Sequence, residues 1–337
     1  RGVHHWDVPK NNFVIRQGIF IHPYDCIVYH FILNRLAPII EKKLSKARYS
    51  FRIRNLSAKA LFGKQPTKNW IEFRTDIKKF YEKNSDYNYL VSTDIAGFFE
   101  YIHIMDFKKQ MENLVRPLRP NLNKIIELLN SYLKSFSISR HSGIPQNYEP
   151  SSYLCSAFLD FLDKELESNG LRHYRYVDDI KVACKTKNDA KKAIVQTIHT
   201  LRQKNLNLST AKTEIWHRDD ARFNEFIKEF PPILSQIDEA VNKKDKIAIE
   251  NHLPKLVSLT KEIIKHKDTF DERLFRACLW RIVKSYYFKN VKKIKLDMIG
   301  KRCLKLIDDM PITTCLLYTS DAADELDGVD LGGRRII

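Results

Sequence analysis

Three acidic side chains lie at the ends of segments that are predicted to be β-strands. Asp178 and Asp179 are adjacent, and the residues around them in 171–184 are rich in β-branched and aromatic types. Asp94 directly follows a similar run, 89–93. Such runs favour strands, so the Asp-Asp pair is predicted at a hairpin tip. Two adjacent negative charges at a tip fit either a solvated turn or a carboxylate pair that holds a divalent cation.

A loop and a helix separate Asp94 from the acidic pair. The loop is Gly-x-Pro-Gln, from Gly143 to Gln146, and a helical pattern follows over 152–166. The chain therefore presents a strand with a terminal Asp, then this loop and helix, then a Tyr-x-Asp-Asp hairpin. That order resembles motifs A, B and C of reverse transcriptases. Three motifs in sequence are far more specific than any one of them.

The resemblance implies an active site with two Mg²⁺ ions, with Mn²⁺ as the alternative ion. Asp94 and Asp178 would be metal ligands, with Asp179 beside them as the third acidic candidate. Carboxylate oxygens suit hard cations. Two such ions can activate a primer 3′-hydroxyl and neutralise charge on the transferring phosphoryl group and the leaving pyrophosphate. Tyr176 and Gln146 would contact the incoming nucleotide.

An aromatic residue five positions after Asp94 would select the sugar. In the family this ring blocks the 2′-position, so Phe99 is predicted to favour dNTPs over NTPs. The alternative is that Phe98 and Phe99 both belong to the core; one of the two is expected there. The loop departs from the family's Pro-Gln-Gly by carrying Asn147. Asn tolerates left-handed backbone better than most residues, so the turn is expected to survive.

Three basic residues are candidates for contacts with the nucleotide. The resemblance places Lys10 and Arg16 in the fingers, where a triphosphate is gripped by paired cations; ordinary surface cations are the alternative. Lys212 lies in a segment that resembles motif D, where a Lys protonates the departing pyrophosphate. The alternative is a loop lysine that binds phosphate.

The net charge of +17 suggests a polyanionic partner. A basic chain rich in aromatic residues fits nucleic acid, although a generally basic protein would show the same excess. Arg48, Arg52 and Arg54 alternate with aromatic residues, so on a strand they would share one face. We expect these arginines to face a template groove and the rings of Tyr49 and Phe51 to face the core. An edge strand with solvated arginines is the alternative.

Cysteine usage and hydropathy restrict the compartment. The six cysteines are scattered without a Cys-x-x-Cys pair, which disfavours a zinc site or a disulfide framework. No apolar run is long enough to span a bilayer. A cytoplasmic protein without a membrane partner is therefore predicted.

The predicted fold is α+β. Fingers are expected over residues 1–88 and a palm with motifs A to D over 89–218, built as an antiparallel sheet with packed helices. An α-helical domain follows over 219–314. Its apolar spacing is compatible with a helical-repeat array, although no strict period is visible. Because of this helical extension, the chain resembles the abortive-infection and defence-associated group of bacterial reverse transcriptases.

The N-terminus of the sequence is expected to be truncated, and its C-terminal tail is expected to be non-native. The chain starts at Arg1 without a Met, which suggests a truncated N-terminus. Residues 315–337 resemble translated sequencing-adapter DNA and are excluded from the fold as a tail. The helical domain is accordingly expected to be cut short.

The function implied is an RNA-directed DNA polymerase with a role in antiphage defence. Its partners would be an RNA template, a DNA or protein primer, dNTPs and a cognate non-coding RNA, with the oligomeric state left open. Two alternatives remain at this point. One is untemplated or protein-primed DNA synthesis, and the other is an inactive relative that only binds RNA.

Overall fold

The structure is a computed structural model. It describes residues 3–9, 15–53, 66–115, 122–137, 139, 141–228, 231–265 and 272–286, together with 299 and 301. Among the residues singled out above, Lys10, Arg54 and the predicted tail 315–337 lie outside the described residues.

The described residues form six strands, twelve α-helices and two short 3-10 helices. The strands are β1 (His4–Pro9), β2 (Ile15–Phe20), β3 (Tyr89–Asp94), β4 (Arg172–Tyr176), β5 (Asp179–Cys184) and β6 (Glu214–His217). The helices are α1 (Pro23–Ile40), α2 (Pro66–Lys83), α3 (Phe98–Tyr101), α4 (Ile104–Val115), α5 (Asn123–Phe136), α6 (Glu149–Phe158), α7 (Asp160–Ser168), α8 (Lys187–Arg202), α9 (Ala221–Ile227), α10 (Pro232–Lys243), α11 (Lys246–Lys265) and α12 (Glu272–Tyr286).

A four-stranded antiparallel sheet organises the first part of the chain. Its strand order is β4-β5-β3-β6, and every neighbouring pair is antiparallel. The two central strands are those that carry the acidic motifs. β1 and β2 form a separate two-stranded sheet. The predicted α+β fold with an antiparallel sheet and packed helices is confirmed.

One face of the four-stranded sheet packs against α2 and α9. Alternation along β3 and β4 points Leu90 and Tyr174 to this face, where they meet Phe73 and Phe226 in an aromatic-rich core. The guanidinium of Arg74 caps α9 by donating to backbone carbonyls at its end. The helix end is thereby satisfied although its carbonyls lack intrahelical partners.

The opposite face packs against α6, α7 and α8. Val91, Ile180 and Val182 point to this face and join the largest buried cluster of the described chain. Each fully buried side chain of this size contributes roughly 1.5–3 kcal/mol. The helix predicted over 152–166 is two helices, because the chain breaks at Leu159 between α6 and α7.

The chain divides into two compact units, one of which contains Gln17–Lys228 and the other Glu229 onward. In the second unit α10, α11 and α12 pack on one another around their own apolar cluster. Arg281 joins two of these helices by donating to the Asp238 carboxylate at 2.6 Å. Along the described ranges, no helix is both long enough and apolar enough to cross a membrane.

The prediction that arginines of 48–54 face a groove was wrong for Arg48 and Arg52. The segment is not a regular strand, since Arg48 makes only an isolated bridge. Its guanidinium is buried and lies 2.5 Å from Glu41, and Arg52 reaches the same carboxylate at 2.7 Å. Glu41, seven residues upstream of Arg48, supplies a counter-ion that alternation alone did not reveal. Tyr49 does pack inward, against Phe73.

Candidate active site

Three acidic residues lie at one end of the four-stranded sheet. Asp94 ends β3 and stands opposite Asp179, the first residue of β5. Val177 and Asp178 form the turn between β4 and β5, so the hairpin predicted from the sequence is present. Burial, then the charge of Asp94 and that of Asp179, raise the pKa of Asp178 to about 7. The site therefore holds more negative charge than its environment easily supports.

Lys212 joins the carboxylates from a 3-10 turn, Thr210–Lys212. Its Nζ lies 2.5 Å from Oδ2 of Asp94. Two tethers hold the turn against β3: Ser209 N donates to the Asp94 carbonyl at 2.7 Å, and the hydroxyls of Thr93 and Thr213 are 2.7 Å apart. The structure thus brings together Asp94, Asp178, Asp179 and Lys212.

Lys181 is a charged residue of the site that sequence reasoning missed. Its ammonium is buried, donates to the Asp179 carboxylate and donates to Ser92 Oγ at 2.9 Å. It also lies over the rings of Trp216 and Phe226. Burial raises the pKa of Asp179, and the charge of Lys181 opposes that rise. The available signal was spacing, because residues two apart on a strand share a face.

The Gly-x-Pro-Gln loop is tied to the segment that follows Asp94. Gly143 N donates to the Ile102 carbonyl at 3.1 Å, and Ile144 N donates to the Phe99 carbonyl at 2.8 Å. Asn147 has a φ of +67°, which confirms that the turn keeps a left-handed residue. Gln146 is half-buried at the end of this loop.

The two phenylalanines after Asp94 lie in different environments. Phe98 is buried in the core, whereas Phe99 is half-buried with its ring 5.3 Å from that of Phe98. The expectation that one of them belongs to the core is confirmed. Gly97 precedes them with a φ of +52°, and a Cβ there would come 2.4 Å from the Tyr101 ring. This glycine allows the sharp turn from β3 into α3.

The remaining candidates are Tyr176 and the two fingers cations. Tyr176 ends β4 with its ring 4.9 Å from that of Trp70, and burial raises its pKa to about 12. Arg16 is the second residue of β2, with a half-buried side chain. Lys10 lies outside the described residues. The roles of all three stay predictions.

The donor set fits a divalent cation in its chemistry. Burial first, and then the like charges of Asp94 and Asp179, raise the pKa of Asp178, and a bound cation would relieve the repulsion among these charges. Within the described ranges, however, no three His, Cys, Asp or Glu side chains already converge as a metal cage. Lysines instead neutralise two of the carboxylates, Asp94 and Asp179.

Comparison with known proteins gives one family. The family model described as reverse transcriptase (RNA-dependent DNA polymerase) matches residues 16–258. No curated protein matches the sequence.

Solved structures of telomerase from Candida tropicalis are similar in part. The apo enzyme truncated from its C-terminal domain is 14% identical, with a TM-score of 0.46, over 64% of this chain and 50% of the telomerase. The complex with a fragment of telomeric RNA is 10% identical, with a TM-score of 0.45, over 94% and 63%. The chain thus spans half to somewhat under two thirds of these telomerase chains.

Proposed function

The chain belongs to the reverse transcriptase family, and on this premise we propose that it synthesises DNA on an RNA template. A polymerase of the reverse-transcriptase kind is a nucleotidyltransferase, and the fold is the fingers–palm core expected for it. The observation that carries the proposal is the position of Asp94, Asp178 and Asp179 at one end of the sheet, with the pKa of Asp178 raised to about 7.

Asp94 and Asp178 are the proposed ligands of Mg²⁺, or of Mn²⁺ in its place, with Asp179 beside them. When bound, the ions would activate the primer 3′-hydroxyl and neutralise phosphoryl charge. Lys181 holds Asp179 by an internal ion pair. Asp94 is also paired, with Lys212, but that lysine is 68% exposed whereas Lys181 is buried. Metal binding is therefore expected to depend more on Asp94 and Asp178 than on Asp179.

Lys212 is the proposed general acid. Its ammonium already touches Asp94, while 68% of its side chain is exposed, so it can turn toward a leaving pyrophosphate. A proton donated there would neutralise the charge that develops on the leaving group.

The nucleotide is proposed to bind between the loop from Gly143 to Gln146 and the segment after Asp94. The hydrogen bond from Ile144 to Phe99 holds these two segments together. Phe99 would then exclude a 2′-hydroxyl, Gln146 and Tyr176 would pack against the nucleotide, and Lys10 and Arg16 would grip its triphosphate.

The wider setting remains part of the proposal. Fingers over residues 1–88, a palm over 89–218 and a helical domain over 219–314 would serve an RNA template with a DNA or protein primer. The three mutually packed helices α10–α12 favour the defence-associated type, and with it an antiphage role and a cognate non-coding RNA. A phage plaque assay with the wild-type gene and an Asp178→Asn gene tests that role.

The biochemical test uses the purified chain with an RNA template annealed to a DNA primer. Incorporation of dNTPs should require added Mg²⁺ and cease on chelation, and the sequenced product should be the complement of the template. Products of the same composition with and without template would instead indicate untemplated synthesis. RNA binding by folded protein without incorporation under any metal would contradict the proposal and leave an RNA-binding relative.

A further inference from the structure

The residue before Asp178 has an unusual backbone conformation. Val177 has a φ of +58°, a left-handed value that β-branched residues rarely adopt. Glycine or asparagine would be the ordinary choice in a two-residue turn. The tip that carries Asp178 is therefore strained, and a strained residue persists only where its surroundings hold it.

Both backbone polar groups of Val177 are held from inside the protein. Its N–H donates to Ser50 Oγ at 2.9 Å, and its carbonyl accepts from Arg175 Nη1 at 2.8 Å. Ser50 lies in the loop after Arg48, far from the hairpin in sequence. Two hydrogen bonds, from different side chains, thus fix the peptide groups on either side of Val177.

Arg175 is itself fully fixed. Its side chain is buried, and its five N–H donors all find acceptors. The Nε and Nη2 groups donate to the carboxylate of Asp163, which is also buried. The other donors reach Ser156 Oγ at 3.3 Å, the Ser156 carbonyl at 3.0 Å and the Val177 carbonyl. A planar fork with five donors is specific to arginine.

Ser50, the other residue that bonds to Val177, is also held by its neighbours. Ser50 Oγ lies 2.9 Å from Ser156 Oγ, so one serine of α6 supports both Ser50 and Arg175. The Ser50 carbonyl accepts from Arg48 Nη1 at 2.9 Å, and Arg48 pairs with Glu41. The buried arginine that was expected to meet a template therefore supports the loop that holds the hairpin tip.

We propose that Arg175 and Ser50 are positioning residues that hold Val177 in its left-handed conformation and so fix the direction in which Asp178 leaves the turn. Among the described hydrogen bonds, neither side chain reaches Asp94, Asp178 or Asp179, so both act through the backbone of Val177. The inference rests on the proposed function in taking Asp178 as a catalytic carboxylate. The hold on Val177 itself can be measured without catalysis.

The mild test is Ser50→Ala, with Arg175→Lys as the stronger change. We expect Ser50→Ala to lower kcat at least about ten-fold, with little change in KM for dNTP, in protein that stays folded. Arg175→Lys should lower kcat further, because lysine lacks the planar fork. Arg281→Lys is the matched control: it changes a buried, Asp-paired arginine of the helical unit and should leave kcat unchanged.

A rescue separates positioning from general stability. In the Ser50→Ala background, Val177→Gly should recover part of kcat, because glycine adopts positive φ without being held. A structural role for Ser50 predicts no recovery, since a glycine adds no packing. Absence of recovery would overturn the proposal, as would unchanged kcat in folded Ser50→Ala protein.

Hydrogen exchange of the metal-free protein provides the readout that needs no activity. The Val177 amide should be protected in wild type and exchange faster in Ser50→Ala. Equal exchange rates of the Val177 amide in both proteins would overturn the proposal that Ser50 holds Val177. Wild-type protein could show a protected Val177 amide and yet incorporate no dNTP with any metal or template. The proposed function would then be wrong, and the positioning role of Ser50 and Arg175 for a catalytic Asp178 would be wrong with it.

Discussion

The ammonium of Lys212 lies 2.5 Å from the carboxylate of Asp94, 118 positions earlier in the chain. A metal ion and Lys212 would therefore compete for one carboxylate. Without a bound cation, Lys212 already pairs with Asp94. Its positive charge partly neutralises the acidic cluster of Asp94, Asp178 and Asp179.

This competition predicts two opposite effects of Lys212→Met. Mg²⁺ should bind several-fold more tightly, because Asp94 is released, while kcat should fall roughly 10²-fold or more through loss of the general acid. Isothermal titration with Mg²⁺ and single-nucleotide incorporation measure the two effects. Lys185→Met, which breaks an exposed pair with Asp86, is the control. A loss of both affinity and rate would show that Lys212 supports metal binding instead.

Asp94→Asn and Asp178→Asn should abolish incorporation while the protein stays folded. Each removes a charge that the proposed metals require, and neither side chain belongs to the apolar core. Incorporation assays and circular dichroism test this, with the exposed Asp219→Asn as the matched control. Near-normal activity in a folded Asp178→Asn protein would remove Asp178 from the site.

Phe99→Ala should raise the use of rNTPs relative to dNTPs. The half-buried ring no longer meets a 2′-hydroxyl, and stability should fall by only about half of the 3–5 kcal/mol typical of a core phenylalanine. Competition between rNTP and dNTP measures the selectivity. Phe161→Ala, another half-buried ring of the same unit, should lose stability without losing selectivity. If both variants keep the wild-type ratio, the gate lies elsewhere.

The buried Asp163 makes the stability of the fold depend on pH in the acidic range. Burial alone would raise the pKa of this carboxyl, but the charge and hydrogen bonds of Arg175, with His173, outweigh burial and hold the pKa below its usual range. Stability from the pair is thus present above about pH 4, the ordinary Asp range, and is lost as pH falls further.

Thermal unfolding between pH 2.5 and 7 measures this effect. Asp163→Asn should lower stability at pH 7 by about 3–5 kcal/mol, because Arg175 is left buried without its counter-ion. The stability difference between Asp163→Asn and wild type should narrow below about pH 4, because the unfolded wild-type chain takes up a proton on Asp163 there while the folded protein keeps this carboxylate ionised. A stability difference between the two proteins that stays constant down to pH 2.5 would show that the loss in Asp163→Asn comes from packing and not from charge.

Arg48→Gln should affect stability instead of RNA binding. The change leaves Glu41 buried with less compensation, at a loss of about 3–5 kcal/mol, whereas Arg52→Gln should lose less because Arg52 is 30% exposed. Denaturant unfolding measures the stability of each variant. RNA affinity is measured as a function of salt concentration, and the slope of this dependence should match that of wild type. A flatter slope in Arg48→Gln than in wild type would show that Arg48 contacts the RNA after all.

The acidic cluster could be predicted because each motif is local. Asp94 and the Asp-Asp pair end or begin strands whose composition is visible in a few residues, and their order along the chain supplied the rest. Lys212 was predicted in the same way. The contact between Lys212 and Asp94 was not, since it depends on the tethers at Thr93 and Ser209.

Residues that hold the site were missed because their partners are distant in sequence. Arg175 stands three positions before Asp178, yet its role depends on Asp163 of α7 and Ser156 of α6. Arg48 was misassigned for the same reason: alternation predicts a strand, but a buried Glu41 and the irregular loop decide where the side chain goes. Local pattern predicts elements, whereas tertiary contacts decide which charges are compensated internally.

The position of Lys181 beneath Asp179 also gives the site an optical reporter. The Lys181 ammonium lies 5.6 Å from the Trp216 ring centroid, and the indole N–H donates to Glu214 at 2.6 Å. Indole emission shifts with the electric field across the ring, so withdrawal of Asp179 from Lys181 would change the colour of Trp216 fluorescence. Trp216 is one of four tryptophans in the chain, so the part of the emission that Trp216→Phe removes would report the charge state of the acidic cluster without label or substrate.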